Sequence, residues 1–226
     1  MHAAPFLAGV RNGKRMCELL DSHPQMVAKY PKLMGTILSS MFNSKPSVRH
    51  VIVLIGPPGC GKTYAVRQFF DDLFTIPVST GKLWMDGYEG QSVALIDDFD
   101  PSLINYFQML RLLHPYEERI EVKGSFIVWK PRLIVICSNM SPHEWFDSYW
   151  RNNNTTMTPY FRCEDDRMKE AALSRRIYHI YSFFDEQVTR HAVGSVMADK
   201  WVLVSQETII PKLGNIWSEC DGSGAE

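Results

Sequence analysis

Val51-Ile52-Val53-Leu54-Ile55 runs directly into Gly56-Pro57-Pro58-Gly59-Cys60-Gly61-Lys62-Thr63, and a helical pattern then extends from Thr63 to Leu73. The unbroken apolar run suits a parallel strand covered on both faces. The octapeptide fits G-x-x-x-x-G-K-[ST]: its glycines let backbone N–H groups turn inward around phosphate, and the following helix N-terminus adds partial positive charge. On that reading the whole octapeptide borders a nucleotide, Lys62 meeting its β- and γ-phosphates and Thr63 ligating Mg²⁺. A purely structural glycine-rich turn is the plainer alternative, and the strand before and helix after argue against it.

Moving outward, Ala94-Leu95-Ile96-Asp97-Asp98 is an apolar strand ending in two acids. The first carboxylate would hold the metal and the second would polarise an attacking water, so Asp97 is assigned to Mg²⁺ and Asp98 to the base. Alone, such an ending is more often a solvated turn; after a phosphate loop it is the expected partner. A third strand, Leu133 to Cys137, runs into Ser138-Asn139, and the Asn139 amide is a candidate sensor of the γ-phosphate, with an Asx-type turn as its bland reading. Helical spacing over Leu103 to Leu113 separates these strands, so the expected class is α/β, a P-loop parallel sheet with helices on both faces.

At the N-terminal side, Arg15 to Leu20 reads as a short helix and Met26 to Phe42 as an amphipathic one, started by Ser22 and Pro24. The polar linker Asn43 to Ser47 puts a boundary near residue 46, dividing a helical subdomain (1–45) from the core (46–185). Residues 186–226 form an extension with weaker signals: Trp201 to Val204 and Thr208 to Ile210 are possible strands, and Asp221 to Glu226 is expected to be a disordered tail.

With 226 residues, 45% hydrophobic and 22% charged, the chain has the composition of an ordinary globular domain. No apolar run reaches the eighteen residues of a membrane span, no secretory signal opens the chain, and five scattered cysteines without a C-x-x-C pair argue against a disulfide framework or a cysteine-rich zinc site. The expectation is an intracellular protein without a membrane partner. A net charge of −1 confines any nucleic-acid contact to a local patch. A GTP switch is disfavoured, since no N-K-x-D sequence occurs. A small-molecule kinase stays open, as does a scaffold that binds nucleotide only for assembly. The adjacent Arg175-Arg176 is either a salt-bridged surface pair or an arginine finger offered to a neighbouring subunit's nucleotide.

The spacing is compact: Lys62 to Asp97 is 35 residues (97 − 62) and Lys62 to Asn139 is 77 (139 − 62). It resembles that of superfamily 3 helicases of small viruses. GPPGCGKT at 56–63, WMDGYEG at 84–90, VALIDDF at 93–99, EVKGS at 121–125, ICSNMSPHEWF at 136–146 and LSRRI at 173–177 resemble, in order, segments of the replication-initiator (Rep) proteins of circular single-stranded DNA viruses, especially the circovirus-like group. The stretch RNGKRMCELLDSHPQMVAKYPKLM resembles the helical oligomerisation subdomain that precedes their motor, so the likeness spans roughly residues 11–184.

The resemblance implies an AAA+-like fold, ATP and Mg²⁺ as cofactors, single-stranded DNA as partner, a homo-oligomeric ring of six, 3′ to 5′ travel and work in the host nucleus during rolling-circle replication. It implies that Lys123 projects into the central channel to grip the DNA backbone, with Lys130 and Arg132 as weaker candidates, although a hairpin lysine is by itself usually a solvated one. Arg176, directly before Ile177, is the better finger and Arg175 the reserve. An RNA-virus superfamily 3 helicase or NTPase is the nearest rival. Full-length initiators carry a nicking domain with a His-apolar-His pair and a Tyr-x-x-Lys motif. None of the seven histidines here lie two apart and no Tyr-x-x-Lys occurs, so a motor without a nickase is expected. Trp84, Trp129 and Trp145 are read as core ahead of base-stacking residues.

Overall fold

The computed structural model describes residues 3–12, 14–30, 37, 48–79, 82–83, 85–122, 125–142, 144–145, 171–184, 187–191, 203–206 and 217–218. Three short helices come first: α1 (Ala3–Arg11), α2 (Met16–Ser22) and α3 (Pro24–Lys29). The core follows as β1 (His50–Ile55), α4 (Lys62–Phe69), β2 (Leu73–Thr75), β3 (Val78–Ser79), β4 (Lys82–Leu83), β5 (Val93–Ile96), α5 (Tyr106–Leu112), β6 (Glu118–Val122), β7 (Ser125–Trp129), β8 (Leu133–Ser138), β9 (His179–Phe184), β10 (Gln187–His191) and β11 (Leu203–Gln206). The main sheet has the order β11-β10-β9-β1-β8-β5-β2. Every pairing from β9 to β2 is parallel, while β10 and β11 extend the sheet antiparallel.

Parallel strands here are buried on both sides, and each alternates between two cores. Val51, Val53 and Ile55 of β1, with Ala94, Ile96, Ile134 and Ile136, face a cluster closed by Tyr106, Met109 and Leu112 of α5 and by Trp129 and Trp145. Ile52 and Leu54, with Val93, Leu95, Leu133, Val135 and Cys137, face a second cluster closed by Ala65 and Val66 of α4 and by Phe70. Helices therefore cover opposite faces, as the α/β expectation required. Trp129 and Trp145 are core residues, whereas Trp84 lies outside the described residues. No helix among the described residues is long and apolar enough to cross a membrane.

Several boundaries differ from the sequence reading. α4 stops at Phe69 because Phe70 turns extended and the chain goes on to pair Leu73–Thr75 with β5, where the periodicity had continued the helix to Leu73. α5 starts at Tyr106, later than Leu103, because Asn105 and Gln108 form a reciprocal capping box. The expected helix from Met26 to Phe42 is interrupted: α3 ends with Tyr30 at φ −133°, and residue 31 is a proline, which disfavours helical backbone in the residue before it. Ile37 is helical again, and the rest of 31–47, with the boundary near 46, lies outside the described residues. So do Thr208 to Ile210 and the tail 221–226. α1 and β10 were not anticipated, and the strand expected over Trp201 to Val204 is β11, shifted to Leu203–Gln206.

Phe6, Val10, Leu19 and Met26 pack into a small cluster of their own, apart from both sheet cores. Arg15 ties it to the core through two guanidinium–carboxylate bonds to Asp72, one of them 2.8 Å, and this partner holds the Asp72 carboxyl below its ordinary range.

Arg49, just ahead of β1, is a second tie. Its guanidinium donates to the carbonyls of Pro131 (2.9 Å), Leu112 (3.1 Å), Trp129 (3.3 Å) and His114, joining the C-terminal end of α5 to the foot of the β6–β7 hairpin. Burial lowers its pKa to about 10. Arg49→Met removes the guanidinium from all four oxygens, only that of Leu112 keeping a second side-chain donor, Trp129 Nε1, and should cost about 2–4 kcal/mol, seen as a lower urea midpoint at constant slope. Arg49→Lys should recover only part, since an ammonium cannot reproduce the planar fork. A midpoint for Arg49→Met equal to wild type would refute this role.

Candidate nucleotide site

β1 ends at Ile55 with β8 on one side and β9 on the other, and the loop Gly56 to Gly61 crosses the top of the sheet. Gly56 is required by space: a Cβ there would lie 2.5 Å from the Phe183 carbonyl oxygen of β9 and 2.9 Å from Cys60 Sγ. Gly59 (φ 80°) and Gly61 (φ 91°) are in the left-handed region, and Gly61 is the N-cap residue of α4. The loop thus curls back over its own start and delivers Lys62 and Thr63 at a helix N-terminus.

Lys62 is buried, and its ammonium donates to the carbonyls of Gly56 (2.7 Å) and Pro57 (2.9 Å) and to Asn139 Oδ1 (3.1 Å), with Cys60 Sγ at 3.5 Å. Thr63 Oγ1 donates to Asp97 Oδ1 at 2.5 Å, and the same oxygen accepts from the Asp98 backbone N–H at 3.1 Å. Four residues named from sequence, Lys62, Thr63, Asp97 and Asn139, are therefore joined in two hydrogen-bonded pairs across α4, β5 and β8. The strand order is the cause. β8 lies between β1 and β5, so its C-terminal amide emerges between the lysine and the acid. Asp98 is exposed at φ 46°, the one non-glycine residue with positive φ among those described.

Two residues that sequence reasoning passed over hold this geometry. Ser138 is buried; its hydroxyl donates to the Phe99 carbonyl (2.8 Å) and accepts from Met140 N–H (3.1 Å) and Trp145 Nε1 (3.2 Å). It fixes the turns that follow Asp97 and carry Asn139. Cys137 lies beneath Thr63 and Asp97; burial first, and the Asp97 charge second, push its thiol up to about 12, so it stays neutral. A polar residue ending a buried strand was the only signal for Ser138.

The arginines are elsewhere. Tyr178 N–H bonds to the Val51 carbonyl and His179 pairs with Ile52, so Arg175 and Arg176 sit at or below the level of His50 while the loop starts at Gly56. At about 3.3 Å per strand residue the gap is about 20 Å, beyond the reach of any side chain. Arg176 is half-buried, bonded to the Ala172 carbonyl, and its pKa is lowered by burial and by Arg175; Arg175 is exposed. Lys130 and Arg132 are exposed at the foot of the hairpin. Val122 pairs with Ser125 near its turn, and Lys123, between them in sequence, lies outside the described residues.

The RNA helicase family profile matches residues 52–140, from β1 to just past Asn139. Among known proteins, the chain is 32% identical over 142 residues to the replication-associated protein of Beak and feather disease virus, covering 62% of this chain and 47% of that one. It is 38% identical over 98 residues to that of Porcine circovirus 1 (43% and 31% covered) and 40% identical over 97 residues to that of Goose circovirus (42% and 32% covered). The chain spans less than half the length of these curated relatives. With the parallel sheet and its nucleotide-type loop, these likenesses support a helicase domain similar to that of the replication-associated (Rep) proteins of circular single-stranded DNA viruses.

Proposed function

We propose that this chain is an ATP-driven DNA helicase that works as a hexameric ring, moves 3′ to 5′ and serves rolling-circle replication in the host nucleus. The observation that carries the reading is the joining of Lys62 to Asn139 and of Thr63 to Asp97 at one end of the sheet. The donor set fits a magnesium nucleotide. Among the described residues no three His, Cys, Asp or Glu side chains converge, and a magnesium that keeps waters and phosphate oxygens needs only one carboxylate and one hydroxyl from the protein. When bound, that ion neutralises charge on the phosphate oxygens. Lys62 holds the β- and γ-phosphates, Thr63 and Asp97 hold the metal, Asp98 accepts a proton from the attacking water and Asn139 orients that water. Hydrolysis releases ADP and phosphate.

The arginines complete the site from outside. Since about 20 Å separates them from their own loop, Arg176, with Arg175 in reserve, acts on the next protomer's nucleotide. Lys123 grips the DNA backbone, with Lys130 and Arg132 along the same path. Residues 1–45 form the oligomerisation subdomain, 46–185 the motor and 186–226 an extension. The RNA helicase profile supports one rival, a motor that tracks RNA; stronger stimulation of turnover by RNA strands than by DNA strands would select it.

Lys62→Ala should lower ATP turnover at least about 100-fold, the scale of losing one preorganised donor at a reacting phosphate. Lys123→Ala should leave basal turnover intact and abolish unwinding of a duplex with a 3′ overhang; equal loss of turnover in both variants would refute this division of labour. Arg176→Ala should cost about 10³-fold, and mixing it with Lys62→Ala should restore activity at joints that pair an intact loop with an intact arginine. Mixtures no better than either variant would overturn action across subunits, and loss from Arg175→Ala alone would move the role to that residue.

A further inference from the structure

Tyr64 and Phe107 are the most exposed large hydrophobic side chains among the described residues, each 70% accessible. Neither belongs to a core, and each borders a functional group. Tyr64 directly follows Thr63 at the mouth of the nucleotide loop. Phe107 adjoins Tyr106, ring centroids 5.4 Å apart, and the Tyr106 hydroxyl lies within the electrostatic reach of Arg176 and Arg175. They cannot meet within one chain, because α4 covers one face of the sheet and α5 the other. A head-to-tail contact between copies brings such unlike patches together and closes into a ring. Charge agrees with that docking: Arg175 and Arg176 stand on the Phe107 side, and the carboxylates of Asp97 and exposed Asp98 stand at the loop that Tyr64 borders.

We infer that Tyr64 of one protomer packs on Phe107 of the next, forming the apolar seat of the intersubunit joint that lays the arginine pair over the neighbour's nucleotide loop. The inference rests on the proposed ring NTPase and deepens it by naming the contact that registers the two halves of each composite site. Burying two aromatic rings against one another accounts for large exposed apolar surface at positions where a helix otherwise places polar residues.

The test uses the full chain, particle mass and ATP turnover at one fixed concentration. Phe107→Asp and Tyr64→Lys, both at exposed helical positions, should each keep the wild-type melting curve yet reduce assembled mass and turnover by at least about tenfold, as for a central interface residue. The double variant should recover both, because every joint then pairs Asp with Lys. An equimolar mixture of the two single variants should also recover, since an alternating even-membered ring contains only Asp–Lys and Phe–Tyr joints. Single variants that assemble and turn over like wild type, or a double variant and mixture that stay impaired, would overturn the joint. Wild-type protein that assembles without hydrolysing ATP would overturn the proposed function alone, leaving the mass measurements to decide the joint.

Discussion

A phosphate-type loop can close on itself only if the strand beneath it is hemmed in, and here β1 is hemmed in on both edges. β8 and β9 run parallel to it, and at Gly56 the backbone of β9 comes so close that no Cβ fits. That contact sets where the loop leaves the sheet, hence where α4 begins, and hence where Lys62 and Thr63 point. Asn139 and Asp97 then need only to emerge from neighbouring parallel strands, at the carboxyl ends where such sheets place ligands. Each strand is buried on both faces, so the sheet cannot shift under the loop without disturbing two cores at once.

The polar groups that reinforce this frame are buried and fully employed. Ser138 serves three partners from one hydroxyl, and losing it would leave the Phe99 carbonyl and the Met140 N–H without that partner, while Trp145 Nε1 keeps the Met140 carbonyl. The unusual backbone at Asp98 follows from the same packing: the chain must turn immediately after Ile96 to bring Phe99 N–H onto the Cys137 carbonyl at 2.7 Å. An aspartate accepts that left-handed geometry more readily than most residues, so the backbone itself favours such a residue at this position.

Much of this frame was legible in the residues. Continuous apolar runs announced β1, β5 and β8, and the loop's glycine spacing located α4, because these features depend on local pattern and on burial from both sides. Lys62, Thr63, Asp97 and Asn139 were each marked by a local motif, whereas the bonds that pair Lys62 with Asn139 and Thr63 with Asp97 depend on the strand order, which no local pattern carries. What escaped had its cause elsewhere in the chain. The end of α4 is set by the pairing of β2 with β5, and the start of α5 by a cap that outweighed the apolar periodicity. The break after α3 was written in Tyr30-Pro31 and overridden by the hydrophobic spacing around it. Arg49 gives no motif at all, since its partners lie 63 to 82 residues away.

That long reach has an evolutionary side. All four oxygens gathered by the Arg49 guanidinium belong to the main chain, so the brace reads the backbone path at residues 112, 114, 129 and 131, while the side chains of Leu112 and Trp129 are held separately by the core they close. The vulnerability of the brace is thus concentrated on a single codon, that of its one donor. One arginine keeps the hairpin's foot and the end of α5 anchored together to the entrance of the central strand.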